Sequence, residues 1–160
     1  MKILAIDPGY ERLGVAVLEK KQGAKETLLY SCCIRTPATD SFDQRILTIG
    51  LEVEKIIAEF QPEGLAIENL FLSNNQKTAM RVAEVRGLIL YLAAKNSMII
   101  GEMTPLQIKL AVTGDGKSSK NQMIKMVHLL IKTKNKKMLD DEYDAIAGGL
   151  AFFALGKDKI

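Results

Sequence analysis

Asp7 closes the apolar run ILAID, and Glu68 closes a second one, GLAIE. Near the C-terminus LDDEYDAIAGGLAFF places Asp140, Asp141, Glu142 and Asp144 within five positions, directly before an apolar stretch. An acid at the C-terminal end of a buried strand projects from the sheet edge into a cleft, the usual ligand position in open α/β sheets. Asp141 and Asp144, three residues apart, share one face of a helix, and the helix N-terminal dipole favours them. The dipole alone does not suffice for four acids together. Like charges at close range repel, and one of them would take up a proton unless cations intervene. Carboxylates without histidine or cysteine companions are hard oxygen donors suited to Mg²⁺, with Mn²⁺ as a substitute. Two such ions, about 3.5–4 Å apart, can activate water on one side of a phosphorus and stabilise the leaving oxygen on the other. Asp7, Glu68, Asp141 and Asp144 are therefore candidate catalytic and metal-ligating residues. Asp140 reads as the helix N-cap, and Glu142 as a solvated acid of the first turn.

A second charged group has the opposite sign. From residue 109 to 137 there are eight lysines (Lys109, Lys117, Lys120, Lys125, Lys132, Lys134, Lys136 and Lys137) against one acid, Asp115. That local surplus exceeds the net charge of +3 for the whole chain. A field so concentrated suits a phosphate backbone and should depend strongly on salt. Gly116-Lys117-Ser118 resembles the end of a nucleotide-binding loop. That motif needs a glycine five residues before Gly116, where Ala111 stands, so the reading is rejected.

Elements must bring these groups together. Residues 2–7, 13–19 and 26–36 read as strands, the last two joined as a hairpin through KKQGAK. Over 42–60 the period changes: Phe42, Ile46, Ile49, Val53, Ile56, Ile57 and Phe60 recur at three and four, an amphipathic helix that Pro62 ends. Strand 64–68, helix 75–95 and strand 97–102 follow. Thr104-Pro105 opens a short helix, the loop TGDGKSS leads to a helix over 119–132, and a last helix runs from 141. The order β-β-β-α-β-α-β-α-α-α predicts an α/β fold, a five-stranded mixed sheet flanked by helices. The first and fourth strands can be neighbours, which would set Asp7 beside Glu68. Helix 75–95 carries too many apolar positions for the surface helix of a monomer, and the surplus fits a dimer interface.

The 160 residues suit one domain, with no internal repeat or linker. At 48% hydrophobic the chain can build a core. No apolar run approaches the roughly 18 residues of a transmembrane helix, so no membrane association is expected. MKILAIDPG reads as a strand rather than a signal peptide. Cys32 and Cys33 are adjacent; a disulfide between neighbours is strained, so they read as reduced residues of a cytoplasmic protein. The single His128 excludes sites built on several histidines, and no CxxC suggests zinc. The Asp7-Pro8-Gly9 turn would also suit an actin-like or sugar-kinase-like ATPase, but those need two related lobes.

ILAIDPGYERLGVAV, FQPEGLAIENLFLSNNQKTAMRVAEVRG, TPLQIKLAVTGDGKSSKNQM and DDEYDAIA occur in this order over nearly the whole chain. Together they resemble the RuvC family of Holliday-junction resolvases, of the RNase H-like superfamily. The resemblance implies a single RNase H-like nuclease domain over residues 1–160. It also implies a homodimer that binds a four-way DNA junction and cuts two strands of like polarity, with two Mg²⁺ per subunit. Recombination and repair would be its setting, with a branch-migration complex of RuvA and RuvB type as partner. Asp7, Glu68 and Asp144 match the family's acids, and Asp141 falls where members carry Asp or His. Phe71 matches an aromatic that wedges against bases at the junction, an insertion that unstacks DNA at modest cost. Lys109 and Lys120 match basic positions near the scissile phosphate, and Lys117 lies in the same loop. Ser119 stands where the family pattern expects Ala. The alternative is a catalytically inactive junction-binding protein of the same fold.

Overall fold

The computed structural model describes residues 1–69, 76–133 and 138–156, with backbone alone for 76 and 77. Five strands and five helices run in the order β1 (Lys2–Asp7), β2 (Arg12–Glu19), β3 (Thr27–Arg35), α1 (Phe42–Phe60), β4 (Gly64–Glu68), α2 (Gln76–Lys95), β5 (Ile99–Met103), α3 (Pro105–Thr113), α4 (Lys120–Leu130) and α5 (Asp140–Leu155). The sheet order is β3-β2-β1-β4-β5. β1 pairs antiparallel with β2 and parallel with β4, and β4 pairs parallel with β5. The α/β fold with a five-stranded mixed sheet is the one the sequence pattern predicts, and no described helix is long and apolar enough to cross a membrane.

Both faces of the sheet are covered, and period 2 decides which residue goes where. In β1, Ile3 and Ala5 join the core under α3, α4 and α5, while Leu4 and Ile6 join the core under α1 and α2. β4 divides likewise, Ala66 to one side and Leu65 and Ile67 to the other. Asp7 and Glu68 continue the Ala5 and Ala66 rows, so both acids emerge on the α5 face. Small residues let α5 lie close. A Cβ on Gly149 would meet Leu18 and Ala5, and one on Gly14 would overlap the backbone carbonyl of Asp141.

Element boundaries fall within two residues of expectation, and two of the shifts have a visible cause. β5 starts at Ile99, not 97, because α2 ends in a tight turn: Ser97 has φ 55° and Met98 N–H donates to Ala93 O at 3.0 Å. α5 starts at Asp140 rather than 141, and its N-cap is Leu139, whose N–H donates to Glu142 Oε1 at 3.3 Å.

Candidate functional site

The sheet register brings the first two acids together. Ile6 faces Ile67 across the parallel β1–β4 pair, so Asp7 and Glu68 come next, side by side at the carboxyl end of both strands. Arg86 of α2 braces this end: its Nε donates to Glu68 O at 3.3 Å and its Nη2 to Asn69 Oδ1 at 3.2 Å, while it also pairs with Glu102. α5 supplies Asp141 and Asp144 from above, on the face that sequence spacing predicts.

The electrostatics follow from crowding. Burial, then the charges of Asp144, Glu68 and Asp141, push the Asp7 carboxyl up to about 7, against a smaller opposing pull from Lys120. Burial and then Asp144 also push Glu68 up, while Lys109 pulls it down. The two lysines therefore face the acids from α3 and α4. Lys120 Nζ lies 2.9 Å from Asp144 Oδ2 and 3.5 Å from Asp140 Oδ2. Burial alone would lower the Lys120 ammonium; its bond to Asp144 and the charges of Asp144 and Asp140 outweigh that and raise it. Lys117 is exposed, with its backbone N–H donated to Asp115 Oδ1 at 2.9 Å. Phe71, Lys134, Lys136 and Lys137 lie outside the described residues.

Parity also delivers groups that sequence reasoning missed. Arg12 and Gly14 of β2 lie on the α5 face, and their ladder partners on β3 are Arg35 and Cys33. Arg12 Nε donates to Asp141 Oδ2 at 2.9 Å, and its Nη2 pairs with the same oxygen. That bond raises the Arg12 guanidinium. Cys33 lies nearby, its Sγ 3.8 Å from Asp141 Oδ2, and burial followed by the Asp141 charge pushes its thiol up. Glu142 is a correction. It is not a solvated acid but 3% exposed, accepting from Leu139 N–H and, at 2.9 Å, from Ser31 Oγ. Asp140 is likewise not the cap but the first helical residue, exposed beside Lys120.

The donor set suits a hard divalent cation. Carboxylate oxygens from β1, β4 and α5 converge on one face, and cations would relieve the repulsion that raises Asp7 and Glu68. Among the described residues the acids are not drawn into a closed cage of three or more ligands, since Asp141 turns to Arg12 and Asp144 to Lys120.

Residues 3–152 match the family described as crossover junction endodeoxyribonuclease RuvC. The relative of that name from Moorella thermoacetica is 41% identical, spanning 92% of this chain and 87% of its own. The one from Petrotoga mobilis is 40% identical, spanning 92% and 90%. Among solved structures, Thermus thermophilus RuvC in complex with a Holliday junction substrate superposes with a TM-score of 0.87 at 27% identity, covering 94% of this chain and 92% of that one. The yeast mitochondrial Holliday junction resolvase Ydc2, at 13% identity and a TM-score of 0.67 over 93% and 75%, shares the fold.

Proposed function

The chain belongs to the RuvC family of crossover junction endodeoxyribonucleases and is a Holliday-junction resolvase; we propose that it cuts at the cleft framed by β1, β4 and α5. One observation carries the assignment to this cleft: Asp7 and Glu68 stand side by side opposite Asp141 and Asp144, with Lys109 and Lys120 at the rim.

Asp7, Glu68, Asp141 and Asp144 would hold two Mg²⁺ per subunit, with Mn²⁺ as a substitute. Bound there, divalent ions polarise the phosphoryl group and supply hydroxide at neutral pH. The chain's own groups do the rest. Asp7 has to give up its proton, near pH 7, before its oxygens can ligate. Arg12 holds the Asp141 carboxylate in a fixed orientation. Lys120 exchanges Asp144 for a phosphate oxygen as the strand enters, and Lys109 balances Glu68. Both ammonium groups then face the charge that develops on phosphorus as water adds and the 3′ oxygen departs. Lys117 holds the flanking backbone, and Phe71 wedges against the bases at the crossover.

A homodimer supplies two clefts for two symmetric cuts. Its interface would be the exposed apolar face of α2, where Met80 is 66% and Tyr91 61% exposed, with Leu47 and Leu51 of α1 beside it. The working unit is then one domain per chain, acting in the cytoplasm with a branch-migration complex of RuvA and RuvB type. An inactive junction-binding protein is disfavoured, since binding alone favours losing acids beside phosphate.

The test compares a synthetic four-way junction with matching linear duplex, in Mg²⁺ and in EDTA. Paired nicks on the junction alone, lost in EDTA and in Asp7→Asn, are expected. Junction binding without cleavage under Mg²⁺ or Mn²⁺ would replace this reading with the inactive one.

A further inference from the structure

A second cavity opens beyond the Asp7-Pro8-Gly9 turn, of about 390 Å³, walled by Tyr10 and Glu11 from the β1–β2 turn, by Phe42 and Arg45 from the first turns of α1, and by Arg81 from α2. None of these residues belongs to the carboxylate cleft. Arg45 is unusual for a guanidinium: it is 7% exposed, and its Nη1 is buried without a hydrogen-bond partner among the described residues. Its Nε donates to Asp40 O at 3.2 Å, and the nearest carboxylate oxygen, Glu11 Oε1, stands 3.7 Å from Nη1. A buried, unsatisfied charged donor is costly, and native proteins keep one where something else supplies the acceptor.

The second guanidinium is arranged for the same purpose. Arg81 lies over the Phe42 ring at 3.8 Å, and Arg45 lies over the Tyr10 ring at 5.6 Å. Stacking on an aromatic face fixes the plane of a guanidinium and leaves its N–H edge free for planar, bidentate contact with an oxyanion. Arg81 also meets Glu84 at 3.3 Å on its exposed side. The cavity adjoins the N-terminus of α1, a helix of 19 residues whose dipole adds positive potential. Glu11 and Asp40, which also lines the cavity, are the counterweights; the Glu11 side chain is 65% exposed and can swing into solvent.

Position names the ligand. Tyr10 follows Asp7 by three residues, so their Cα atoms are at most about 11 Å apart. Phosphates rise about 3.4 Å apiece along one strand of a duplex, so the cavity lies within a few phosphates of the scissile one. We propose that the Arg45–Arg81 cavity is a second phosphate site, which grips a backbone phosphate of the DNA arm beside the cleavage point. It rests on the reading of the chain as a junction nuclease, and it adds a contact that fixes where along the strand the cut falls.

Junction affinity measured against salt in EDTA, where nothing is cut, tests this. Arg81→Gln, on a half-exposed side chain, should weaken binding and flatten the slope of log K against log[salt] by about 0.9, the increment for one phosphate on duplex DNA. Glu11→Gln should tighten binding, since it removes the carboxylate that pairs with Arg45. Arg45→Gln should act like Arg81→Gln if it folds; Arg81 and Glu11 decide the matter if it does not. A slope unchanged in Arg81→Gln overturns the proposal. So does binding of inorganic phosphate, read by thermal shift, that Arg81→Gln abolishes while the slope stays fixed, because the site would then serve a free anion. Failure of the wild-type protein to bind the junction would instead overturn the nuclease reading beneath it.

Discussion

A carboxyl group at the end of β1 should behave unlike a surface aspartate, and Asp7 makes that measurable. Its pKa is raised from 3.8 to about 7, so between those values the folded protein binds a proton that the unfolded chain does not. Stability therefore falls as pH rises through this window, the reverse of an ion-paired aspartate. In the metal-free protein, Asp7→Asn should raise the unfolding free energy at pH 8 by on the order of 4 kcal/mol and change little below pH 4. Denaturant titrations at the two pH values check it; equal effects at both would place Asp7 in solvent. Activity should run the other way, rising as pH passes about 7, with the midpoint moving lower as Mg²⁺ is raised. Arg12 belongs to the same balance. Its removal leaves the Asp141 charge unopposed, so Arg12→Gln should move the activity midpoint upward and Arg12→Lys should restore it; an unmoved midpoint would reduce the pair to surface decoration. The four acids were legible in the sequence because each closes or opens an apolar run. Arg12 was not, because its partner is 129 residues away and only the β2–α5 packing joins them. Glu142 is illegible for a related reason: its role depends on Ser31, 111 residues away, and helix periodicity carries no trace of a long-range donor.

Elements are most legible in the sequence where period and punctuation agree. α1 over 42–60 and β4 over 64–68 match the structure at both ends, since a clean three-four spacing is stopped by Pro62 and a short apolar run is closed by an acid. The apolar pattern starts β5 two residues early because Ser97 adopts a left-handed turn without glycine, a conformation its side chain does not announce. The spacing of β2 and α5 hangs on one atom that is absent. Gly14 faces the Asp141 backbone, so Gly14→Ala should force α5 away from the sheet at a cost of about 1–3 kcal/mol. It should also lose more cleavage than stability, because Asp141 and Asp144 ride on the displaced turn; thermal melts set beside single-turnover rates would show the two losses diverge, or fail to. On the opposite face, α2 exposes Met80, Ala83, Gly87 and Tyr91 at successive turns, and a Cβ at Gly87 would meet nothing. A surface that is apolar, with small residues at its centre, suits close approach of the same helix from a second copy. Tyr91→Glu should shift the protein to monomer in sedimentation or light scattering while its far-UV spectrum stays unchanged; a dimer that survives the charge would move the interface elsewhere.

At the scale of the whole molecule, the constraint is that one chain presents one carboxylate cleft while resolution needs two cuts related by symmetry. The proposed isologous dimer would meet that requirement, since a two-fold axis through paired α2 faces would turn each cleft toward one of two equivalent strands of the junction. The arrangement predicts how defective subunits combine. Wild-type and Asp7→Asn chains mixed in equal amounts and allowed to exchange give about half mixed dimers, with roughly a quarter remaining wild-type on both sides. Mixed dimers hold the junction normally but carry a single competent cleft, so they should leave it nicked once, and fully resolved product should fall to about a quarter of the unmixed level. Gel separation of nicked junction from resolved duplex reads both quantities in one experiment. A fall to only about three-quarters, with no nicked species accumulating, would mean that one cleft makes both cuts in turn. The two-fold axis would then serve binding alone, and the charge balance at Asp7 would set the rate of each cut singly rather than of the pair.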